Sequence, residues 1–487
     1  MKVMLINSPW VHDREQYGVK AGARWAHVRP RRKTIPYFPY PFAMAYAASN
    51  LMQAGIDTVL LDAVAMEISV SETLNAITQC NPDMIVLETS TPSIESDLHF
   101  ASMVAKSVDA SIVFSGPHAT ALPEDVLRSS EGRAVLRGEY DITIVELAQA
   151  IDDRSSLANI LGISWKSGDA VTHNPNRSLI TDLDELPYPV RKGLPMERYT
   201  DPACKKFPNV SIISSRGCPY RCIFCLESTV FFHTPSFRRR DPQKVVDEMI
   251  HVIDNYNAQE IYFDDSSFTA SHQHARAVAQ AIIDRRLSIA WSCMADARVD
   301  FDTLKLMKSS GCTGLKFGVE TADEAIMKRI NKKLDLNNVR RFAEDCKKLG
   351  LYTHGTFMFG LPGETKKSIQ KTIDFAFSLD CTTSQFSVAT PFPGTAFYEM
   401  AKTEGWLVTD DWNAFDGGQS PVVSYPECSR QDIIEGLERA KKRKILQLIT
   451  HPVVLSQYLY KLYKMKGFWG LMSEIAGKAG YLLERTR

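Results

Sequence analysis

The sequence carries no excess charge of either sign: 57 basic side chains balance 57 acidic ones over 487 residues. A nucleic-acid partner, which requires a basic stripe, is therefore not expected. No run of eighteen or more apolar residues is present, so no transmembrane helix is expected. The opening MKVMLINSPW has one lysine, a short apolar run and then polar residues. It reads as a first β-strand and not as a secretion signal. Without such a signal, the ten cysteines are expected as free thiols or metal ligands in a reducing, cytoplasmic setting, not as disulfides. No G-x-G-x-x-G follows the first strand, which leaves dinucleotide binding poorly supported. The basic clusters Arg29 to Lys33 and Arg238 to Arg240 are expected as solvated faces.

What is present is enough for more than one core. The chain is 44% hydrophobic over 487 residues, and two or three domains are expected. Residues 1–152 alternate strand and helix. Strands are predicted at Met4 to Ile6, Thr58 to Leu61, Met84 to Leu87, Ile112 to Phe114 and Ala134 to Leu136. Helices are predicted at Tyr40 to Ala54, Ser69 to Gln79, Asp97 to Ser107 and Ile142 to Asp152. Such alternation implies α/β architecture, here a doubly wound, Rossmann-like parallel sheet with ligands at the strand C-termini. Residues 153–206 read as a linker, with prolines favouring extended backbone around Asp182 to Pro189. Residues 207–425 repeat strand then helix six times, which suggests a partial (β/α)6 barrel with its site at the strand C-termini. Residues 426–487 read as helical. Aromatics and lysines mix from Tyr458 to Met472, where either a packing helix or a peripheral membrane contact is possible.

The chemistry is carried by Ser214-Ser-Arg-Gly-Cys218-Pro-Tyr-Arg-Cys222-Ile-Phe-Cys225. Three cysteines fall directly after the first predicted barrel strand. Thiolates bind iron–sulfur clusters, and three of them leave a fourth iron open to chelate a substrate. Structural zinc usually takes four ligands with paired spacings. No second pair follows here, and His233 stands alone. The other cysteines are scattered and expected as small buried hydrophobes. Cys293, near a strand end, is the one to watch.

This segment resembles the radical S-adenosylmethionine superfamily, whose signature is CxxxCxxC with an aromatic before the third cysteine, here Phe224. The resemblance covers about Val210 to Tyr425. It implies a [4Fe-4S] cluster on Cys218, Cys222 and Cys225. It also implies S-adenosylmethionine contacts from Phe224, Asp264 or Asp265, Ser292, Arg298, Glu320 and the Gly360 loop. An external one-electron donor of flavodoxin or ferredoxin type is implied with them.

Residues 1 to about 151 resemble the cobalamin-binding domains that precede many such enzymes. The matching segments are Pro41 to Leu51, Leu61-Asp-Ala, Glu88 to Ser93, Ser115 to Thr120 and Arg137 to Tyr140. The resemblance implies that Thr89, Ser90, Thr91, Ser93, Gly116, His118, Glu139 and Tyr140 border the cobalamin. The Asp-x-His-x-x-Gly pattern that supplies a cobalt ligand is missing, since the first loop reads Asn7-Ser-Pro-Trp-Val-His12. His12 is expected at the surface, and Trp10 or another residue before Phe38 is expected over the lower corrin face.

Together these features imply a radical enzyme that methylates an unactivated carbon of a small-molecule, lipid-like or natural-product substrate, such as a hopanoid or tetrapyrrole. Two alternatives stay open: a cyclase or ring-rearranging enzyme with the same cofactors, and a non-catalytic cobalamin-binding protein.

Overall fold

A computed structural model describes residues 1–10, 16–22, 25–30, 38–201, 204–418 and 420–450, and then 455–456, 459, 463, 467, 469–473 and 475–476. The strands in chain order are β1 (Lys2–Asn7), β2 (Gln16–Ala21), β3 (Trp25–Pro30), β4 (Asp57–Asp62), β5 (Met84–Glu88), β6 (Ser111–Ser115), β7 (Ala134–Leu136), β8 (Ile163–Ser167) and β9 (Ala170–His173). They continue with β10 (Asn209–Ile212), β11 (Ser215–Arg216), β12 (Arg238–Arg239), β13 (Glu260–Phe263), β14 (Ala290–Ala295), β15 (Cys312–Glu320), β16 (Tyr352–Phe359) and β17 (Thr383–Val388).

The first unit is a seven-stranded sheet in the order β4-β1-β5-β6-β7-β8-β9. β4, β1, β5, β6 and β7 are parallel. The near-continuous apolar runs Val3–Ile6 and Met84–Leu87 are fully enclosed, as a sheet covered on both faces requires. One face packs under Phe42–Gln53 and Thr143–Asp152, the other under Ile94–Ser107. The helix Val70–Cys80 begins at a reciprocal cap, with Ser69 and Glu72 satisfying each other's backbone N–H.

Two features differ from the sequence reading. The stretch 153–206 is not all linker: β8 and β9 form a hairpin that extends the sheet antiparallel at β7. The first loop also contains structure, because β2 and β3 pair as an antiparallel hairpin. The second hairpin carries a signal that the linker reading passed over, since Ile163 and Trp165 alternate with Ser164 and Lys166 and the two residues Gly168-Asp169 join Ser167 to Ala170; the first has no Asn-Gly or Asp-Gly between its strands.

The second unit is a six-stranded, wholly parallel sheet in sequential order, β10-β13-β14-β15-β16-β17. Its outward side chains, among them Ile261, Phe263, Trp291, Cys293, Leu315 and Phe317, form the largest core with the surrounding helices. Its inward side chains are mostly polar. At the floor, Lys316 pairs with Asp201, Cys204 Sγ meets Ser292 Oγ at 3.4 Å, and Glu260 accepts the Lys205 and Lys206 N–H groups at 2.7 and 2.9 Å. A segment before β10 thus plugs the barrel from below, which leaves its mouth at the strand C-termini. The long helix Arg430–Thr450 packs beside β16 and β17, with Ile433 and Ala440 in a smaller core around Phe359 and Leu361.

The two units share a core. Phe231 and Phe232, just beyond Cys225, insert among Tyr140, Ile144 and Leu136 of the first unit. Among the described residues, no helix is long and apolar enough to cross a membrane. Most of Tyr458 to Met472, His12 and Arg31 to Lys33 lie outside the described residues.

Candidate active site

The loop after β10 carries Cys218, Cys222 and Cys225, all half-buried. Backbone bonds fix its path. Cys225 N–H donates to Cys222 O at 3.1 Å, Ser236 N–H donates to Cys218 O at 3.2 Å, and Ile223 N–H donates to Ile330 O at 3.1 Å. A turn of π-helix, Glu227–Phe231, follows and aims N–H groups of Glu227 and Ser228 at the Cys225 sulfur. The Tyr220 N–H does the same for Cys218. Burial pushes the Cys218 thiol up to about 12 and Cys222 up to about 11, and each thiol raises the next. Among the described residues, no three His, Cys, Asp or Glu side chains converge on a point fit for one metal ion. A cube of four irons takes each thiolate at a separate corner, so three neighbouring soft donors with N–H groups aimed at sulfur fit that cluster.

Around the loop the structure gathers side chains from several strand ends. Arg298 lies 3.9 Å from the centre of the Tyr220 ring and donates to Asp296, the residue after β14, at 2.7 Å through Nε. Burial opposes ionisation of Asp296, but Arg298 holds its carboxyl below the usual range. Glu320, at the end of β15, has a left-handed φ of 69° beside a bulge in the ladder. Its Oε1 receives the Lys332 ammonium at 2.5 Å, and that cation in turn favours the thiolate of Cys222. A methyl group on Gly318 would come within 2.3 Å of Glu320 Oε1.

The acidic pair after β13 divides. Asp265 accepts Ser214 N–H at 3.1 Å, Ser214 Oγ–H at 3.0 Å and the Ser215 hydroxyl. Asp264 instead lines a cleft of about 730 Å³, mouth included. Other expected residues lie elsewhere. Ser292 sits on the barrel floor with Cys204, below the mouth. Phe224 packs toward Ile326, Ile330 and Phe359. Gly360, with φ of 88°, ends β16 in a loop held by Glu364, whose Oε2 accepts the Gly360 and Leu361 N–H groups at 2.5 and 3.2 Å. Cys293 is enclosed in the outer core, and burial raises its thiol. It is packing.

The cleft joins the two units. The first supplies Ala21 and Gly22 from the hairpin end, Tyr40, Phe42, Tyr140 and Asp141; the second supplies Ser215, Arg216, Glu227, Phe231 and Asp264. It therefore opens where the C-terminal edge of the first sheet faces the cysteine loop. Small residues at 21 and 22 and the flat Tyr140 ring fit the approach of a broad planar cofactor.

Most hydroxyls expected around cobalamin are engaged within the protein. Thr89 Oγ1 donates to Ser115 O at 2.7 Å, and Ser90 and Ser93 meet at 2.7 Å. Ser93 Oγ donates to Asp97 at 2.6 Å. Thr91 meets His118 Nδ1 at 3.2 Å. His118 is buried against the edge of Trp412, and burial pushes its imidazole down to about 4. Gly116 has φ of 96°, and a Cβ there would lie 2.2 Å from Thr89 O. These groups tie the strand-end loops of the first sheet to one another, and none of them lines the cleft. Glu139 is engaged as well: it binds Arg216 at 2.8 Å and Arg238 at 2.7 Å. Burial works against its charge, but the two guanidinium groups hold it below the usual carboxylate range. Arg238 and Arg240 are thus not a solvated face. Arg240 pairs with the buried Glu248. Trp10 is covered by the β2 strand, where Gly18 leaves room for its ring.

Sequence reasoning missed Lys332, Asp296 and the Arg216 junction. Arg216 stands two residues before Cys218, and its position in the motif is the one local signal. Lys332 has none.

Comparison with known proteins agrees with this geometry. A family described as the radical SAM superfamily matches residues 212–376, and one described as a B12 binding domain matches residues 28–148. An uncharacterized methyltransferase of Pyrococcus horikoshii is 32% identical over 406 residues, spanning 82% of this chain and 86% of the relative. An anaerobic magnesium-protoporphyrin IX monomethyl ester cyclase of Rubrivivax gelatinosus is 26% identical, over 74% of this chain and 66% of its own. The radical S-adenosylmethionine methyltransferase TsrM from Kitasatospora setae, solved with cobalamin and a [4Fe-4S] cluster bound, superposes with a TM-score of 0.68 at 19% identity, over 84% of this chain and 79% of that one. With the cysteine loop at the mouth of a six-stranded barrel and a B12 domain closing over it, the chain belongs to the cobalamin-dependent radical S-adenosylmethionine enzymes.

Proposed function

We propose that this enzyme transfers a methyl group to a carbon atom of a small molecule. When bound, the cluster and S-adenosylmethionine supply a carbon-centred radical and cobalamin supplies the methyl group. The observation that carries the reading is the shared cleft. Asp264 at the barrel mouth, Glu227 directly after the cysteines, and Tyr140 with Gly22 from the first unit line one space. A small molecule seated there meets both halves of the chemistry without leaving the protein.

The chain's own residues have distinct tasks. Cys218, Cys222 and Cys225 hold the cluster. Asp264 is the carboxylate assigned to the methionyl ammonium, because it lines the cleft while Asp265 buttresses Ser214 and Ser215. Glu320 and Arg298 border the same mouth as charge-paired groups. The apolar walls of Phe42, Phe231 and Phe232 keep water from the reacting carbon.

The likeness to a cyclase favours a second reading, a ring-forming reaction with the same cofactors. Product analysis decides. Anaerobically reconstituted enzyme is supplied with a strong reductant, S-adenosylmethionine and extract from a strain lacking the gene. Methyl transfer gives S-adenosylhomocysteine beside 5′-deoxyadenosine and adds a labelled methyl group to one extract component. Cyclisation gives 5′-deoxyadenosine alone.

A further inference from the structure

The segment Lys328-Arg-Ile-Asn-Lys-Lys333 holds four cations and no acid in six residues. It straps the cysteine loop. Ile330 O accepts from Ile223 N–H at 3.1 Å, Asn331 Nδ2 donates to Arg221 O at 2.9 Å, and Lys332 pairs with Glu320 next to Cys222. Lys333 O accepts from Arg298 at 2.8 Å. Every residue from 330 to 333 thus binds the loop or a group that touches it.

The charges divide by role. Lys332 and Arg298 face inward and are neutralised by Glu320 and Asp296. Lys328, Arg329 and Lys333 are exposed, as is Arg221, which lies between the first two cysteines. None of these four forms an ion pair with a described residue. Glu324 and Asp335 lie outside the strap, before and after it. An exposed cationic collar is therefore centred on the loop that holds the cluster, in a chain whose total charge is zero.

We propose that Arg221, Lys328, Arg329 and Lys333 form the docking surface for an acidic one-electron carrier protein of flavodoxin type. The proposal rests on the family assignment, under which the cluster receives an electron from outside. One electron leaves the carrier and enters the cluster; no bond is made or broken. Redox encounters are small and transient, and complementary charge raises their association rate more than their affinity. A collar around the acceptor brings the carrier to the shortest path. The backbone bonds of the strap hold that surface still relative to Cys222.

The test uses the reconstituted full-length holoenzyme. Stopped-flow absorbance follows cluster bleaching by a reduced flavodoxin of net negative charge, and separately by dithionite, which is small and needs no docking. Lys328→Glu/Lys333→Glu reverses two exposed charges and leaves the strap's backbone bonds in place. Lys305→Glu/Lys308→Glu is the control, on the exposed face of another barrel helix. The strap variant is expected to lose about tenfold or more in flavodoxin-driven rate at low salt, with a flattened salt dependence and an unchanged dithionite rate. The control keeps both rates. Equal loss in both variants, equal loss with both reductants, or no loss overturns the docking surface. If wild-type enzyme reduced by dithionite fails to cleave S-adenosylmethionine, the fault lies with the family reading instead.

Discussion

Arg216 of the barrel unit grips Asp141 of the first unit with a parallel fork, 2.9 Å from Nη1 to Oδ2 and 3.0 Å from Nη2 to Oδ1. The same guanidinium reaches Glu139 and lies 4.5 Å from the centre of the Tyr46 ring. All of this is buried, two residues before the first cluster cysteine. Arg216→Ala leaves two carboxylates short of a partner and is expected to cost about 3–5 kcal/mol. Arg216→Lys loses the fork and recovers part of that. Urea denaturation of the cluster-free chain measures both.

Replacing Cys218, Cys222 or Cys225 singly by alanine removes one corner of the cluster. Each variant is expected to hold little iron and sulfide after anaerobic reconstitution and to form no 5′-deoxyadenosine. Cys293→Ala, in the outer core, is expected to keep both and to lose only about 1 kcal/mol of stability. Iron and sulfide analysis with product chromatography checks the contrast.

Glu364 gives a pH signature. Burial raises its carboxyl from the ordinary 4.5 to about 8, against the opposing N–H groups of Gly360 and Leu361. Between those values the folded chain keeps a proton that the unfolded chain has lost. This contribution to stability therefore falls as pH rises from about 4.5 to 8 and levels off above. Glu364→Gln keeps an acceptor for both N–H groups and has no proton to lose. Its stability relative to wild type should rise across that window by on the order of 2–4 kcal/mol, read from thermal melts at successive pH values.

At Gly116 both space and backbone forbid a side chain: φ is 96°, and Thr89 O stands 2.2 Å from where Cβ would be. Gly116→Ala is expected to cost about 2 kcal/mol or more and to displace the Thr89 loop at the edge of the first sheet. Corrinoid retention after gel filtration should fall with it, while iron content stays at the wild-type level.

Lys332→Met removes a cation beside Cys222 while keeping its length. A less positive surrounding makes the cluster harder to reduce. Its midpoint potential is expected to move negative by some tens of millivolts, measured by potentiometric titration followed by electron paramagnetic resonance.

Much of this is legible in the sequence. All six barrel strands lie within residues 207–425 and alternate with helices, as the six strand-then-helix repeats implied. The cysteine loop is legible because chemistry fixes its spacing locally. What escaped is what only three dimensions bring together. Glu139 follows a strand and looks like a cofactor contact, yet Arg216 and Arg238 arrive from 77 and 99 residues away. Ser292 is a polar residue near a strand end, but β14 continues to Ala295 and leaves it on the floor. Asp264 and Asp265 are equivalent on paper; a pair of serine hydroxyls after β10 separates them. The hairpin of β2 and β3 carries no pattern strong enough to announce it, and is held by Lys20, buried with Asp97 beneath it.

The two phenylalanines that follow the third cysteine have a practical outcome. Because Phe231 and Phe232 complete the hydrophobic interior of the B12 domain, neither half is a finished object alone. A barrel expressed from about residue 207 would present two bare aromatic rings to water beside its most oxygen-sensitive loop. The severed partner would be left with a hole where they belong. Insertion or loss of even one residue between Cys225 and Phe231 would shift the cysteines against the corrin domain. The interval between Cys225 and Phe231 acts as a ruler, and it fixes where the cysteine loop stands against the first sheet.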